Sequence, residues 1–248
     1  IITPNKKASS GDINYYRELH HVAQQCHKHF LYETTVCAGL PVINTLKDIL
    51  RTGDKVISIE GIVSGSLSYI FNCLALGKDS TSFSEAVFRA KELGYTEPDP
   101  REDLSGRDVV RKMVCLAREI GYESTLEDVE AVNLVPESLR HCSLDEFIKK
   151  LPSYDVQFKE DLAQRFRKPC VAYVGGIDKN GTITVKMQQY NSDHPFSKLS
   201  GTDNMLIFKT NRYNKQPLVI QGPGAGADVT AAGVFADLLR LATYVGSE

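Results

Sequence analysis

The sequence lacks the features that mark nucleic-acid-binding and membrane-spanning proteins. Among its 248 residues, 29 Lys and Arg stand against 31 Asp and Glu, and the formal charge of −2 leaves no basic field to hold a polyanion. The longest apolar stretches, near residues 131–135 and 238–245, fall far short of the roughly 18 residues that a membrane span needs. We therefore expect a soluble protein with no nucleic-acid partner and no membrane segment.

The sequence also lacks a CxxC pair and an initial Met. Its 6 cysteines are scattered, and several lie in apolar stretches where a thiol acts as a small hydrophobe, which favours a reducing compartment such as cytoplasm or plastid. The chain begins with Ile1-Ile2-Thr3 before a Pro-Asn turn, which we interpret as the end of a strand in a longer polypeptide. Any targeting segment would lie upstream of residue 1, so its absence from these residues carries no information about localisation.

What is present is a globular composition with both strand and helix patterns. With 42% hydrophobic and 24% charged residues, the chain can bury a large core. Helical periodicity follows Asp12, and continues over residues 41–53, 67–74, 83–93, 109–120, 144–151, 156–166 and 228–244. Strands are predicted over residues 30–36, 55–63, 125–135, 170–177, 182–190, 204–210 and 217–221. We predict an α/β chain with an α+β catalytic part: a mixed β-sheet covered on one face by helices.

Two clusters of possible metal ligands carry weak signals. The helix after Asp12 holds four histidines, but only Cys26 and His29 lie three or four residues apart, so a solvated helix face is favoured over a zinc site. Residues 94–108 form a polar segment that two prolines stiffen into a loop, and the ligand spacing of an EF-hand is missing. A solvated acidic loop is favoured, and a divalent-metal protein is an alternative that would use Glu97, Asp99, Asp103 and Asp108.

The following helix contains a lysine where an apolar residue is expected. Lys112 falls between Val109 and Leu116 in the apolar stripe, and Asp108 precedes it by four residues. The pair is either a surface salt bridge worth a few tenths of a kcal/mol or a buried ion pair in a cleft. In a cleft, the carboxylate favours the charged ammonium and leaves a proton donor for a reacting carbonyl.

Two turns between a strand and a helix could bind polar ligands. Ser64-Gly65-Ser66 offers backbone N–H groups and hydroxyls, which suit either a small anion or a plain helix cap. The segment 222–228 is rich in glycine, but it is not G-x-G-x-x-G and no βαβ unit follows it. It either contributes to a cofactor site completed by upstream residues or simply permits close packing of helix and strand.

Five segments, in order, together resemble homoserine dehydrogenase, and in particular the dehydrogenase half of bifunctional aspartokinase–homoserine dehydrogenases. They are TPNKKA (3–8), ETTVCAGLPVI (33–43), GDKVISIEGIVSGSLSYIFN (53–72), GYTEPDPREDLSGRDVVRK (94–112) and GPGAGADVTAAGVFADLLR (222–240). The resemblance implies reversible hydride transfer between NADP(H) or NAD(H) and aspartate 4-semialdehyde, which gives homoserine for threonine, methionine and isoleucine biosynthesis.

The same resemblance implies a domain organisation. Residues 1–40 are the C-terminal remnant of an upstream NAD(P)-binding Rossmann domain, and residues 41–226 form the substrate-binding, catalytic and dimerisation region. Residues 227–248 form a C-terminal helix that returns to the nucleotide-binding domain. A homodimer or higher homo-oligomer is implied, and a non-catalytic regulatory or dimerisation module of the same fold is a further alternative.

The resemblance also assigns residue roles. Lys112 matches the proton donor, and Asp108 matches a substrate-binding carboxylate beside it. Further substrate-binding residues are Glu97, Gly94 and Asp103, while Lys6 lies at the reacting centre and contacts cofactor together with Asn5 and Gly226. A site for a monovalent cation, Na⁺ or K⁺, matches Glu33, Val36, Ala38 and Leu40, where carbonyl oxygens and one carboxylate would suit a hard ion. The chain departs from the family at Cys37, commonly Gly, and at Ser66, where Thr is common.

Overall fold

A computed structural model, which describes residues 1–74, 81–167 and 170–246, shows a six-stranded sheet at the centre of the chain. Its strands are β1 (Val56–Ile62), β2 (Glu130–Ala131), β3 (Cys170–Ile177), β4 (Ile183–Tyr190), β5 (Asp203–Thr210) and β6 (Leu218–Pro223). Their order is β2-β4-β3-β1-β5-β6, and β2 runs parallel to β4 while the other neighbours are antiparallel. The predicted mixed sheet is confirmed.

A hairpin joins β3 and β4, the strands that the sequence predicts over residues 170–177 and 182–190, through the turn that contains Asn180-Gly181. Ile177 pairs with Ile183 at the closed end, and Gly181 in the turn adopts a φ of +83°. This left-handed conformation is the reason that Asn-Gly is favoured in such turns. The hairpin places β3 next to β1, inside the sheet.

The described part of the chain contains ten α-helices. They are α1 (Lys7–Ser10), α2 (Ile13–Gln25), α3 (Ile43–Arg51), α4 (Gly65–Cys73), α5 (Phe83–Glu92), α6 (Pro100–Leu104), α7 (Arg107–Glu119), α8 (Leu144–Lys150), α9 (Asp155–Arg165) and α10 (Ala227–Val245). Asp12 caps α2 as predicted, by accepting from the Tyr15 amide at 2.8 Å. None of the described helices is long and apolar enough to cross a membrane.

The main core lies between the helices and one face of the sheet. Helix α7 packs against β3 and β4, and its apolar residues Val109, Met113 and Leu116 are buried. Gly175 of β3 permits this approach, because a Cβ there would lie 2.5 Å from Met113 Cγ. A smaller cluster around Phe196 covers part of the opposite face. The predicted placement of the helices is confirmed, and it fixes α7 as the element on which the site is built.

The strand predicted over residues 30–36 is wrong. Leu31 forms an isolated parallel bridge with Ile2, and Glu33–Thr35 form a 3₁₀ turn. The Glu33 amide donates to the Asp237 carboxylate of α10 at 3.0 Å, while the Glu33 carboxylate accepts from the first amides of α3. These long-range contacts override the β-branched composition of the segment.

Two further sequence predictions need correction. The strand expected over residues 125–135 is reduced to Glu130–Ala131, because the Asp128 carboxylate accepts from both the amide and the hydroxyl of Thr125 at 2.8 Å and so stabilises a local turn. The polar segment 94–108, expected to be a loop, contains α6. Asp99 caps this helix and Pro100 occupies its first position, where a missing N–H costs nothing.

Candidate active site

An open cavity of about 810 Å³ lies where six separated parts of the described chain meet. They are the start of the chain, the 33–40 segment, Ser64, the acidic segment with the first half of α7 that follows it, residues 133–141 and the glycine segment with the start of α10. Among its lining residues are seven of the predicted site residues: Lys6, Ala38, Glu97, Asp103, Asp108, Lys112 and Gly226. The topology therefore gathers residues as distant in the sequence as Lys6 and Gly226.

Lys112 and Asp108 form an ion pair at the wall of this cavity, with the lysine buried and the carboxylate facing the opening. The Lys112 side chain is nearly inaccessible, with 8% of the residue exposed, and its Nζ donates to the Val63 carbonyl oxygen at 2.6 Å. Nζ also lies 2.9 Å from Asp108 Oδ2, and the other carboxylate oxygen, Oδ1, lies 3.3 Å from Lys6 Nζ. One carboxylate thus links two ammonium groups, as the cleft interpretation of the sequence requires.

The charges of this cluster shift the pKa values of its members in opposite directions. Burial acts to raise the pKa of Asp108, but the nearby Lys112 and Lys6 ammonium groups outweigh it and hold that pKa below its usual value. Burial acts to lower the pKa of Lys112, but the charge of Asp108 outweighs it and leaves that pKa above its usual value. Lys112 is therefore protonated at neutral pH and has a carboxylate that orients it.

A second carboxylate connects the acidic segment to the start of α4. Asp103 Oδ1 accepts from Ser66 Oγ at 2.7 Å, and its Oδ2 accepts from the Glu97 amide at 2.9 Å. Burial raises the pKa of Asp103, and these two hydrogen bonds oppose the shift. The Ser64 hydroxyl accepts from the Leu67 amide at 3.3 Å, so the serine turn is a helix cap that also orients Asp103.

Two acidic residues of the segment are engaged by cationic side chains rather than by one another. Asp99 binds Arg101 through a 2.6 Å ion pair, and Asp108 is neutralised by two lysines. Across the ranges that the structure describes, no three His, Cys, Asp or Glu side chains come together to hold a metal ion. This finding argues against the divalent-metal alternative.

Five of the predicted residues lie apart from the lining of the cavity: Asn5, Glu33, Val36, Leu40 and Gly94. Val36 is fully buried. Asn5 Oδ1 accepts from the Lys7 amide at 2.8 Å and begins α1. Gly94 ends α5 with a φ of +72°, and Leu40 packs against the main core. Glu33 is buried, and its two carboxylate oxygens accept from the Ile43 and Asn44 amides at 2.7 and 2.9 Å, so its side chain caps α3.

The 33–40 segment makes a sharp turn beside Lys112. Cys37 and Ala38 both adopt left-handed backbone conformations, with φ of +60° and +51°, which explains why glycine suits the position of Cys37. Burial raises the pKa of the Cys37 thiol, and its sulfur accepts from Asn204 Nδ2 at 3.4 Å. The α10 backbone packs closely on Gly39, so the turn is clamped between α10 and the sheet.

Several cavity residues were missed by the sequence analysis. Besides Arg101, which pairs with Asp99, four further basic side chains line the cavity in addition to the lysines: Arg107, Arg111, Arg140 and His141. The first two flank Asp108 and Lys112 with the same four-residue spacing, a pattern that could have identified them. No comparable pattern marks Arg140 and His141, because they reach the cavity from a different part of the chain.

The sequence is similar to known proteins over most or all of its length. A family described as "Homoserine dehydrogenase" matches residues 41–239. The chain is 51% identical to the chloroplastic bifunctional aspartokinase/homoserine dehydrogenase 2 of Zea mays, over all of this chain and 27% of that protein. It is 43% identical to the homoserine dehydrogenase of Emericella nidulans, over 97% of this chain and 68% of that protein. The chain thus spans about a quarter of the plant relative and two thirds of the fungal one.

Solved structures agree with these similarities. A Candida auris protein of unknown function superposes with a TM-score of 0.91 at 44% identity, covering 98% of this chain and 69% of that one. A mutant of a hyperthermophilic archaeal homoserine dehydrogenase in complex with NADPH gives a TM-score of 0.69 at 28% identity, covering 96% and 62%. The fold described above is therefore shared with these proteins.

Proposed function

This chain belongs to the homoserine dehydrogenase family, and we propose that it forms the substrate-binding and catalytic part of an enzyme that interconverts aspartate 4-semialdehyde and L-homoserine with NADP(H). The observation that supports this activity most directly is the buried Lys112, held in its protonated form by Asp108 at the wall of the cavity. The NADPH complex of the archaeal relative supports the choice of cofactor.

In the proposed reaction, Lys112 donates the proton. NADP(H), when bound, supplies the hydride to the aldehyde carbon or accepts it from the alcohol. Lys112 Nζ, fixed by Val63 and Asp108, protonates the carbonyl oxygen during reduction, and it takes the hydroxyl proton back during oxidation. Because the pKa of Lys112 is raised, the protonated donor needed for reduction is the form present at neutral pH.

The remaining charged residues of the cavity suit an amino-acid substrate. We propose that the exposed carboxylate of Glu97 binds the substrate ammonium group, with Asp103 fixing the Glu97 backbone and Gly94 shaping the end of the segment. Asp108 orients both lysines and adds negative charge on the same side. Lys6 lies next to the reacting centre through its ion pair with Asp108.

The cofactor would enter between the two ends of the chain. Lys6 and Gly226 both line the cavity, and Gly226 has a φ of +123°, which is open to glycine but strained for other residues. Asn5 holds the turn before Lys6. We propose that residues 1–40 and 227–248 belong to a nucleotide-binding domain completed upstream, a division supported by the contact of Glu33 with Asp237 of α10.

We also propose that the 33–40 turn binds Na⁺ or K⁺ through backbone carbonyl oxygens of Glu33, Val36, Ala38 and Leu40. The Glu33 carboxylate is already taken by α3, so the donors that fit are carbonyls. The adjacent Thr34 hydroxyl is buried and finds no partner among the described residues, which supports a polar ligand here. A thermal midpoint that is equal in NaCl and in choline chloride at matched ionic strength would argue against this site.

We propose that the chain forms a homodimer or higher homo-oligomer, and that the region 41–226 makes the contact between its copies. The face of the sheet opposite the main core carries a groove lined by Glu60, Thr184 and Lys186, which leaves polar strand residues available for a second copy. Light scattering of the purified protein measures the mass directly. A monomer mass at all concentrations would exclude the oligomer.

The test of the function is homoserine-dependent reduction of NADP⁺, followed by nicotinamide absorbance, in the full-length parent polypeptide and its Lys112→Ala variant. Loss of a positioned proton donor commonly costs about 100-fold or more in turnover, and we expect at least that. Lys150→Ala is the matched control, because Lys150 pairs with Glu146 at the same spacing on exposed α8, outside the cavity.

Lys112→Arg tests whether turnover needs only the positive charge of Lys112 or also its ability to donate a proton. Guanidinium keeps the positive charge but does not release a proton at neutral pH, so we expect turnover to stay low in this variant as well. Near-normal turnover of Lys112→Ala would refute the proton-donor assignment. A parent protein that folds but shows no turnover would instead favour the non-catalytic regulatory or dimerisation module.

A further inference from the structure

Arg118 is a buried arginine of α7 that the proposed reaction does not use. The residue is 5% exposed, and its guanidinium donates to three backbone carbonyls. Nη1 donates to Ser9 at 3.1 Å, Nη2 donates to Gly11 at 2.8 Å, and Nε donates to the Ser124 carbonyl at 3.0 Å. Two of these carbonyls lie at the C-terminal end of α1, where the last carbonyls of a helix have no partner within it.

Helix α1 needs such support because it consists of a single turn. A helix of four residues does not hold its own conformation in water, so its position depends on contacts with the rest of the fold. Its N-cap residue is Lys6, whose carbonyl accepts from the Ser9 and Ser10 amides at 3.0 and 2.8 Å. Any displacement of this turn therefore moves the backbone of Lys6.

Helix α7 binds both ends of that turn. At one end, Asp108 Oδ1 lies 3.3 Å from Lys6 Nζ, and at the other end Arg118 binds the carbonyls of Ser9 and Gly11. Asp108 also orients Lys112 on the same helix. The separation between Lys6 and Lys112 is thus set by one rigid element, provided that α1 stays attached to it through Arg118.

We propose that Arg118 is a positioning residue for the dehydrogenase reaction. Its guanidinium holds α1 in place, and Lys6 therefore stays next to Asp108 and the reacting centre. The inference rests on the proposed function, because it requires Lys6 to contribute to turnover. Arginine suits this task, since its planar fork binds several carbonyls at once, whereas lysine keeps the charge but loses the fork.

The experiment is a double-mutant cycle in the full-length parent polypeptide with Arg118→Lys, Lys6→Met and the double variant. Misplacement of a catalytic group by a distant change can cost 10- to 100-fold, and we expect Arg118→Lys to lower kcat about 10-fold while the KM for homoserine changes less than about threefold. In the Lys6→Met background, Arg118→Lys should change kcat less than about twofold, because its effect passes through Lys6.

Arg17→Lys is the matched control, because Arg17 pairs with Glu123 near the same loop, is about half exposed and is not placed in the site. It should leave kcat unchanged. Hydrogen exchange gives a readout that is independent of activity: Arg118→Lys should speed exchange of the amides of residues 9–11 while the amides of β3 stay protected.

The outcomes separate the inference from the function. A parent with no turnover refutes the proposed function, whereas an active parent in which the Arg118→Lys loss persists in the Lys6→Met background refutes the positioning role. Unchanged exchange at residues 9–11 also overturns it. Full turnover of Lys6→Met refutes the role of Lys6, and with it the inference.

Discussion

Replacing Asp108 by Asn tests how the buried ammonium of Lys112 is stabilised. The substitution keeps the size of the side chain but removes the charge that lies 2.9 Å from Lys112 Nζ and 3.3 Å from Lys6 Nζ. Lys112 then retains the Val63 carbonyl at 2.6 Å as a neutral partner. A buried charge has lost its counter-charge, which is the costly way to break an ion pair.

The expected loss of unfolding free energy in Asp108→Asn follows from how deeply Lys112 and Asp108 are buried. Removing one partner of a fully buried pair costs about 3–5 kcal/mol. The Lys112 side chain is 10% exposed but that of Asp108 is 46% exposed, so water reaches one side of the pair and we expect about 2 kcal/mol. For a chain of this length, that loss lowers the thermal midpoint by about 6 °C.

The loss should also depend on pH with a definite sign. In the unmodified protein the pKa of Lys112 is raised above 10.5, so its contribution to stability is complete below that value and is lost as the pH rises through the folded-state pKa. Without Asp108, burial lowers the pKa of Lys112, and the variant gains stability as the pH rises. The difference in unfolding free energy between the unmodified protein and Asp108→Asn is therefore largest near pH 7 and becomes smaller towards pH 10.

Glu85→Gln is the matched control for this prediction. Glu85 precedes Arg89 by four residues on α5, and its side chain is 47% exposed, much like Asp108, but Arg89 is 51% exposed. We expect Glu85→Gln to lower the unfolding free energy by a few tenths of a kcal/mol, and we expect this difference from the unmodified protein to stay the same at high pH. The prediction is refuted if the thermal midpoint of Asp108→Asn at pH 7 is no lower than that of Glu85→Gln. It is also refuted if the stability difference between Asp108→Asn and the unmodified protein increases from pH 7 to pH 10.

Two further substitutions test the support around the cavity. Glu33→Gln removes the buried charge that caps α3, and we expect a loss of about 1–2 kcal/mol in thermal melting; an unchanged midpoint would show that the neutral amide caps the helix equally well. Gly224→Ala places a Cβ against the Asn204 amide, and we expect a loss of about 1–3 kcal/mol together with lower turnover. Gly176→Ala, whose Cβ meets Thr184 at an ordinary 3.5 Å, should not share the effect of Gly224→Ala if the clash is the cause.

Features set by neighbouring residues were predictable from the sequence. Asp12 caps α2 where the helical periodicity begins, and Ser82 caps α5 directly before the predicted helix 83–93. Lys112 was identified because a lysine interrupts an apolar stripe four residues after an aspartate. In each case the interacting groups lie within one helical turn, so spacing in the sequence fixes distance in space.

Features set by distant residues were not predictable in the same way. The segment 30–36 has the composition of a strand, but the Glu33 amide is bound by Asp237, 204 residues away. Arg118 resembles an ordinary charged residue near the end of a helix, and its carbonyl partners Ser9 and Gly11 lie 109 and 107 residues away. Backbone carbonyls carry no side-chain identity, so no residue pattern in the sequence marks them as partners.

Helix α7 explains why the centre of the site could be found from sequence while its surroundings could not. The helix carries Asp108, Lys112 and Arg118, and its 1.5 Å rise per residue sets the first and last about 15 Å apart along one rigid axis. Their mutual geometry is therefore encoded locally. What each side chain binds beyond the helix, from Val63 to Ser9, depends on how the chain returns to α7, and only the folded structure contains that information.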